Sequence, residues 1–482
     1  MKRILNIKIA LALLPFFTAF YACNDSLVQY PNDQLVTETA ITNLDGANAA
    51  LYGVYDVFQN YHYYGCDMIT YGDVRGEDMQ SVDRNGSRAL GFYTFNNRTP
   101  DNVRSTLWST PYSALNRVNS LITAFDEGRV ADISDADKNN ILGQAYALRA
   151  LLHFDICRLF GAPYAKDKTQ PGAVIADKII TAAEKPTRSS VEDTYNFIVG
   201  DLKTAMTMLS EAKSITNGYI NYWAAEALLG RVYMYMGNWD DAYSLSADVI
   251  EHGPYKLIST ADYIASFAAD FNSESVFDVA NTSTDNVNSG TSDAPRESIG
   301  SVASPAGYAE LIVTTAFIDL LNEEPTDIRF GFLKPDKTGA LGYFAKYPGR
   351  SGDYMVNNIH VVRLSEVYLN AAEAALRKSA KDQTNADKYL YAIRSRAIPG
   401  ATQVTATTDN VLKERRKELV GEGHRFYDIM RLGLTVTRTG GRQFLNIDEG
   451  ITVGWDNYLC VLPIPRNELD VNPTIGQTDG YK

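Results

Sequence analysis

The chain has 482 residues, long enough for two or three domains or for one helical repeat array. With 45% hydrophobic and 21% charged residues it reads as a folded globular protein, not a disordered or membrane-spanning one. Its formal charge of −13 repels phosphate backbones and no basic patch offsets it, which argues against nucleic acid as a partner.

The first 22 residues read as a lipoprotein signal peptide rather than as part of the fold. Lys2 and Arg3 open it, Lys8 closes the basic part, and Ile9 to Phe20 is apolar apart from Thr18. That stretch is too short to cross about 30 Å of hydrocarbon and fits the apolar core of an export signal. Phe20-Tyr21-Ala22-Cys23 resembles a bacterial lipobox, in which Cys23 becomes the lipidated first residue. Phe20 and Tyr21 depart from the usual Leu and small residue. Residues 23–40 then form a tether. Three thiols remain beyond it, Cys66, Cys157 and Cys460, too few for a complete disulfide framework, and whether Cys66 pairs with Cys460 stays open. Cys157 lies in an apolar helical pattern and reads as a packing residue.

The mature chain is mainly α, a tetratricopeptide-like scaffold of helical hairpins with long loop-rich insertions and a few short strands. Tyr61 to Pro100 lacks a helical period and is rich in Tyr, Gly, Asn and Asp. Trp108, with Tyr112 and Leu115 at helical spacing, reads as core. Ile141 to Phe160 is an amphipathic helix stopped by Gly161-Ala162-Pro163, and Val191 to Leu209 is a second, capped by Ser189 or Ser190. Tyr222 to Ala242 follows the tetratricopeptide pattern of about 34 residues, with Leu229-Gly230, Tyr233, Gly237, Ala242 and Pro254 at the repeat's own offsets. Glu226 and Ser246 stand where that repeat usually has large aromatics. Asn281 to Pro305 and Glu323 to Asn358 are polar and Gly-rich. A second hairpin follows, Val361 to Leu376 and Asn385 to Ala397, and Gly433 to Pro473 ends the chain with strand-like runs such as Tyr458 to Leu462. Loops of this length on a helical frame suit binding.

The motifs of common catalytic chemistry are absent. The five histidines make no His-Glu-x-x-His, no cysteine pair has zinc spacing, and neither a Gly-x-Ser-x-Gly elbow nor a Walker A loop occurs. Gly421-Glu422-Gly423 begins like a dinucleotide fingerprint, but Phe426 takes the place of its third glycine. Asp285 to Gly290 is explained as a loop without metal. The chain therefore reads as a non-enzyme with no cofactor and no metal. A glycoside hydrolase, needing only two suitably spaced carboxylates, is the catalytic alternative. Glu414 to Gly433 is the densest charge pattern; Glu418, Glu422, Arg425 and Asp428 read as members of a partly buried ion-pair lattice rather than as an acid/base site.

That same stretch, Glu-Arg-Arg-x-Glu-Leu-x-x-Glu-Gly-x-Arg-Phe-x-Asp-x-x-Arg-x-Gly, resembles the signature of the SusD/RagB family of Bacteroidetes outer-membrane lipoproteins. Arg363 to Ala375 resembles the family's preceding helix. Ala147 to Gly161, followed by Pro163-Tyr164, resembles its N-terminal helix, and Cys23-x-Asp25-x-Leu27 with Pro31 its mature start. The likeness spans the mature chain and implies two regions, 41–280 and 281–482, packed as one body. It also implies a lipid-anchored protein on the cell surface that captures glycan and hands it to a SusC-like TonB-dependent outer-membrane transporter. Peptide cargo is the alternative within the family. Ligand residues vary among members, so the resemblance assigns none.

The binding residues are therefore read from the chain itself. Tyrosine is in excess, 30 beside 19 Phe and 4 Trp. Sugars present apolar faces ringed by hydroxyls, which suit aromatic platforms beside Asn, Asp and Arg. Tyr61, His62, Tyr63 and Tyr64 with Asp67, Tyr71, Asp73, Arg75 and Asp78 form the first candidate cluster. Tyr343, Tyr347 and Tyr354, with Trp455, form the second.

Overall fold

The computed structural model describes residues 40–82, 88–96, 102–215, 217–286, 298–304, 307–335, 341–438 and 452–482. The signal peptide, Cys23 and all of the tether but residue 40 lie outside them. The principal helices are α1 Leu44–Phe58, α2 Asp67–Val74, α3 Asn102–Asp126, α4 Asp135–Phe160, α5 Val191–Met208 and α6 Tyr222–Met236. They continue with α7 Trp239–His252, α8 Leu364–Arg377, α9 Gln383–Ala397, α10 Thr408–Leu419 and α11 Arg425–Arg431. Each of α3 to α9 packs on the next in sequence, so the long helices form one stacked series. Among the described residues no helix is long and apolar enough to cross a membrane.

Local chemistry explains these boundaries. Ser134, Ser190, Asn221 and Asn238 each accept a backbone N–H in the first turn of α4 to α7, satisfying donors the helix cannot. Gly237, at φ 72°, ends α6 in the left-handed conformation that a residue without Cβ adopts freely. Gly230 lets α7 close on α6; a Cβ there would meet Ser246 Oγ at 3.2 Å. The hairpin is the tetratricopeptide unit expected from the spacing. Trp108 and Cys157 are core, as expected, and Cys66, Cys157 and Cys460 are all free, buried thiols.

Three segments differ from expectation. Val361 to Arg363 belong not to a helix but to β6, Ile359–Arg363, which pairs antiparallel with β2, Ser275–Val279. The β-branched side chains of Val361 and Val362 are buried in that ladder, and the helix begins only at Leu364. The stretch after Tyr61 is helical: a π-turn, Tyr61–Gly65, runs into α2, whose residues are all buried and so lack the polar face that reveals periodicity. Tyr458–Cys460 is a 3₁₀ turn, while the last strands are β7 Thr435–Thr437 and β8 Thr452–Gly454.

A four-stranded sheet joins distant parts of the chain. β1 Met79–Ser81 pairs with β3 Leu311–Val313, β3 with β5 Leu341–Phe344, and β5 with β4 Leu333–Pro335, in the order β1-β3-β5-β4. Beside it the acidic and basic residues of α10 meet partners far away in sequence. Glu418 accepts from Arg396 Nη2 at 2.6 Å, Arg363 Nη1 at 2.7 Å and Arg329 Nη1 at 3.1 Å. Those guanidinium groups hold its carboxyl well below the usual range despite burial. Glu422 pairs with Arg363 and Lys346, Arg415 with Asp428, and Arg425 with Glu77. The ion-pair lattice is present, built mostly from long-range pairs, with Asp428–Arg431 a neighbour pair within α11.

Candidate functional site

The first tyrosine cluster lies inside the protein. Tyr63 is fully buried against Phe58 and donates to Asp155 Oδ2 at 2.7 Å; Tyr64 stacks on the same phenyl ring. Tyr71 sits edge-on between Phe92 and Phe426, with ring centroids 5.4 and 5.5 Å away, and donates to the Cys460 carbonyl at 3.2 Å. Arg75 has no exposed surface. Its guanidinium lies 4.1 Å from the Phe95 centroid and 4.7 Å from those of Tyr71 and Phe426, and it donates to the Leu459 carbonyl. Asp73 accepts from the Gly423 N–H at 2.8 Å, and burial pushes its carboxyl up to about 8. Asp67 is buried beneath His62, 2.7 Å from Nδ1, and buried Asp78 binds Arg416 Nε at 3.0 Å. Only Tyr61 and His62 keep partial exposure.

This cluster is therefore corrected from a ligand platform to an internal joint between α2 and the C-terminal motif. Tyrosine is amphipathic in both settings: a hydroxyl that finds a buried acceptor lets the ring enter the core without leaving a polar atom unsatisfied. Tyr347 of the second cluster is corrected likewise, being buried with its hydroxyl on the Gly421 carbonyl at 2.7 Å. Tyr343, Tyr354 and Trp455 remain half-buried.

A ring with no signal in the sequence, Tyr308, lies near the segments that carry Tyr343 and Tyr354. Tyr343 on β5 stands opposite Ile312 of β3. Tyr308 lies just before β3, its N–H donating to Ser301 in the short helix Ile299–Ala303 at 2.7 Å. Tyr354 packs its backbone against the same helix, where a Cβ on Gly300 would sit 2.1 Å from the Tyr354 carbonyl oxygen. The half-buried Tyr308 ring is covered on one face by Arg88, whose guanidinium carbon is 3.6 Å from the centroid. Glu310 fixes that arginine, accepting from Nη1 and from its backbone N–H, each at 2.9 Å. The half-buried Tyr308 ring thus stands against a charged hydrogen-bonding pair, Arg88 and Glu310, the latter directly before β3. Such an arrangement offers stacking to apolar CH faces and directional bonds to hydroxyls. Among the described residues no group of three or more His, Cys, Asp or Glu could hold a metal ion.

The scaffold and this face define a class: a stacked helical-repeat protein that displays rings and polar groups on inserted segments. The SusD family matches residues 342–481, and a family described as starch-binding associating with outer membrane matches residues 38–234. A SusD superfamily crystal structure from Bacteroides thetaiotaomicron VPI-5482 is 37% identical, aligns over 90% of this chain and 99% of that one, and superposes with a TM-score of 0.84. SusD-like protein P25 of Formosa agariphila is 24% identical over the full length of both chains. A laminarin binding SusD-like protein is 25% identical over 91% of this chain and 100% of its own, at a TM-score of 0.73. The chain belongs to the SusD/RagB family, and its mainly helical fold is the family's.

Proposed function

We propose that this protein is a noncatalytic carbohydrate-binding lipoprotein of the outer-membrane surface, anchored through Cys23, which captures glycan and passes it to a SusC-like TonB-dependent transporter. The observation that carries the reading is the Tyr308 face: a half-buried ring under Arg88, clamped by Glu310, with Tyr343 on the next strand. The starch-binding description of the family matched by residues 38–234 supports carbohydrate over peptide, and its outer-membrane association supports the location.

Titration calorimetry on the mature chain tests it. Maltohexaose, laminarihexaose and a mixed hexapeptide pool serve as probes. At least one oligosaccharide should bind saturably, and Tyr308→Ala should weaken it about tenfold without lowering the melting temperature. Saturable binding of peptides alone, or turnover of the oligosaccharide, overturns the proposal.

A further inference from the structure

A cleft of about 850 Å³ lies between the segment that follows α4, the turn after β8 and the last residues of the chain. It shares no residue with the Tyr308 face. Its size falls within the roughly 300–1,000 Å³ of small-ligand sites.

Two of its lining residues are aromatic platforms held in place. Trp455 lies across Gly433, where a Cβ would come within 3.4 Å of the indole. Tyr458, 42% exposed, is one of the few large rings that face solvent. It is braced edge-on by Tyr481, with centroids 4.8 Å apart, and Tyr481 is tied through its hydroxyl to the Val461 carbonyl at 3.0 Å. Gly480 lets the backbone pass directly under that ring, since a Cβ there would fall 2.3 Å from Tyr458 Cγ. Exposed rings fixed by packing lose little freedom when something stacks on them.

The charges of the cleft select among ligands. Lys166, Arg188 and Lys482 stand against Asp167, Asp456 and Asp479, three of each sign. All three cations are engaged within the protein. Lys166 donates to the Asp456 carbonyl at 2.6 Å, Lys482 pairs with Asp479 at 2.6 Å, and Arg188 donates to the carbonyls of Phe160, Pro171 and Gly172. Asp167 is occupied by the Thr169 hydroxyl and the Gln170 amide. A charged ligand would have to break such pairs, whereas a neutral polyhydroxylated one needs only rings and spare lone pairs.

We infer that the Trp455–Tyr458 cleft is a second carbohydrate site, independent of the Tyr308 face, and that it takes a neutral oligosaccharide. The inference rests on the carbohydrate reading above and extends it to a second surface and a ligand charge. Two sites on one molecule would hold two stretches of a long glycan, so that the second binding event gains from the first.

The experiment uses the mature chain and Tyr308→Ala, each alone and combined with Trp455→Ala or Tyr458→Ala. Probes are maltohexaose, laminarihexaose and a galacturonic acid hexamer, read by calorimetry and tryptophan fluorescence. In the Tyr308→Ala background a neutral hexasaccharide should still bind with one site and shift the fluorescence; either cleft substitution should weaken that remaining site about tenfold or more. Tyr458→Ala removes an exposed ring and so guards against a folding failure of Trp455→Ala, checked by melting. Residual binding unaffected by both cleft variants, preference for the acidic hexamer, or complete loss of binding in Tyr308→Ala alone would each overturn the second site while leaving the carbohydrate reading intact. Absence of binding by the unaltered chain to any of the three probes would overturn both.

Discussion

Gly72 of α2 lies so close to Gly423 that a Cβ on it would stand 2.1 Å from the Gly423 carbonyl oxygen and 2.5 Å from its carbon. Gly423 itself has φ 79°, a conformation that side-chain-bearing residues rarely adopt, and its N–H bonds Asp73. The joint between the two ends of the chain is thus a backbone-on-backbone contact with no room for a methyl group. Gly72→Ala forces a main-chain shift, and overpacking of this kind costs about 1–3 kcal/mol. Urea denaturation should show that loss. A variant as stable as the unaltered chain would mean that α2 can move away from the turn without cost.

Glu418 collects three guanidinium groups and the Tyr263 hydroxyl, at 2.8 Å, in one buried place. Removing its charge leaves Arg363, Arg396 and Arg329 facing one another with their outer partners Glu274, Glu422, Asp327 and Glu414. Breaking a buried ion pair from one side costs about 3–5 kcal/mol, because the remaining charges stay desolvated. Glu418→Gln, nearly identical in shape, should therefore lower stability by that order, and the loss should persist in high salt, since buried pairs are poorly screened. Stability that recovers fully at 1 M salt (an arbitrary high concentration, about a 3 Å screening length) would place the lattice in contact with water.

Glu226 of α6 faces Asp248 of α7 across the tetratricopeptide hairpin, with Glu211 adding negative influence and His252 bonded to Asp248 at 2.7 Å. Burial, then Asp248, pushes the Glu226 carboxyl up to about 8. The folded chain therefore holds a proton there that the unfolded chain releases near the ordinary value of 4.5. Stability from this group is full below the ordinary value and declines as pH rises toward about 8. Glu226→Gln cannot ionise. It should match the unaltered chain at about pH 4, below the ordinary carboxyl value, and exceed it by about 3–4 kcal/mol at pH 8, measured by urea midpoints. A difference that does not change with pH would show that the two carboxyls share no proton.

The legible parts of this molecule are those whose causes lie close together in sequence. The hairpin at Gly230, Gly237 and Ala242 announces itself because a crossing, a turn and a facing small residue recur at short offsets. The lattice announces its acids and bases in α10 but not their partners, since Arg363, Arg396 and Arg329 arrive from three other segments. β1 and β3 are three residues each and meet across nearly half the chain, far too little pattern to read. Tyr61 to Tyr71 misleads because density of tyrosine does not say whether the ring or the hydroxyl meets water. Tyr308 escapes notice for the opposite reason: it is a single ring after a polar tract, and its partner Arg88 lies 220 residues earlier in the chain.

Tyr71 separates a structural role from a binding one. It has no exposed surface, three aromatic neighbours, and a hydroxyl on the Cys460 carbonyl at 3.2 Å. Removing a buried aromatic ring typically costs about 3–5 kcal/mol, so Tyr71→Ala should unfold at markedly lower urea. Tyr71→Phe keeps the ring and loses one hydrogen bond, for about 1 kcal/mol. Neither group can touch a ligand while the chain is folded, so Tyr71→Phe should bind oligosaccharide with unaltered affinity in calorimetry at low temperature. A weakened affinity in that variant, with its melting temperature nearly preserved, would return Tyr71 to the binding surface and require α2 to open when glycan arrives.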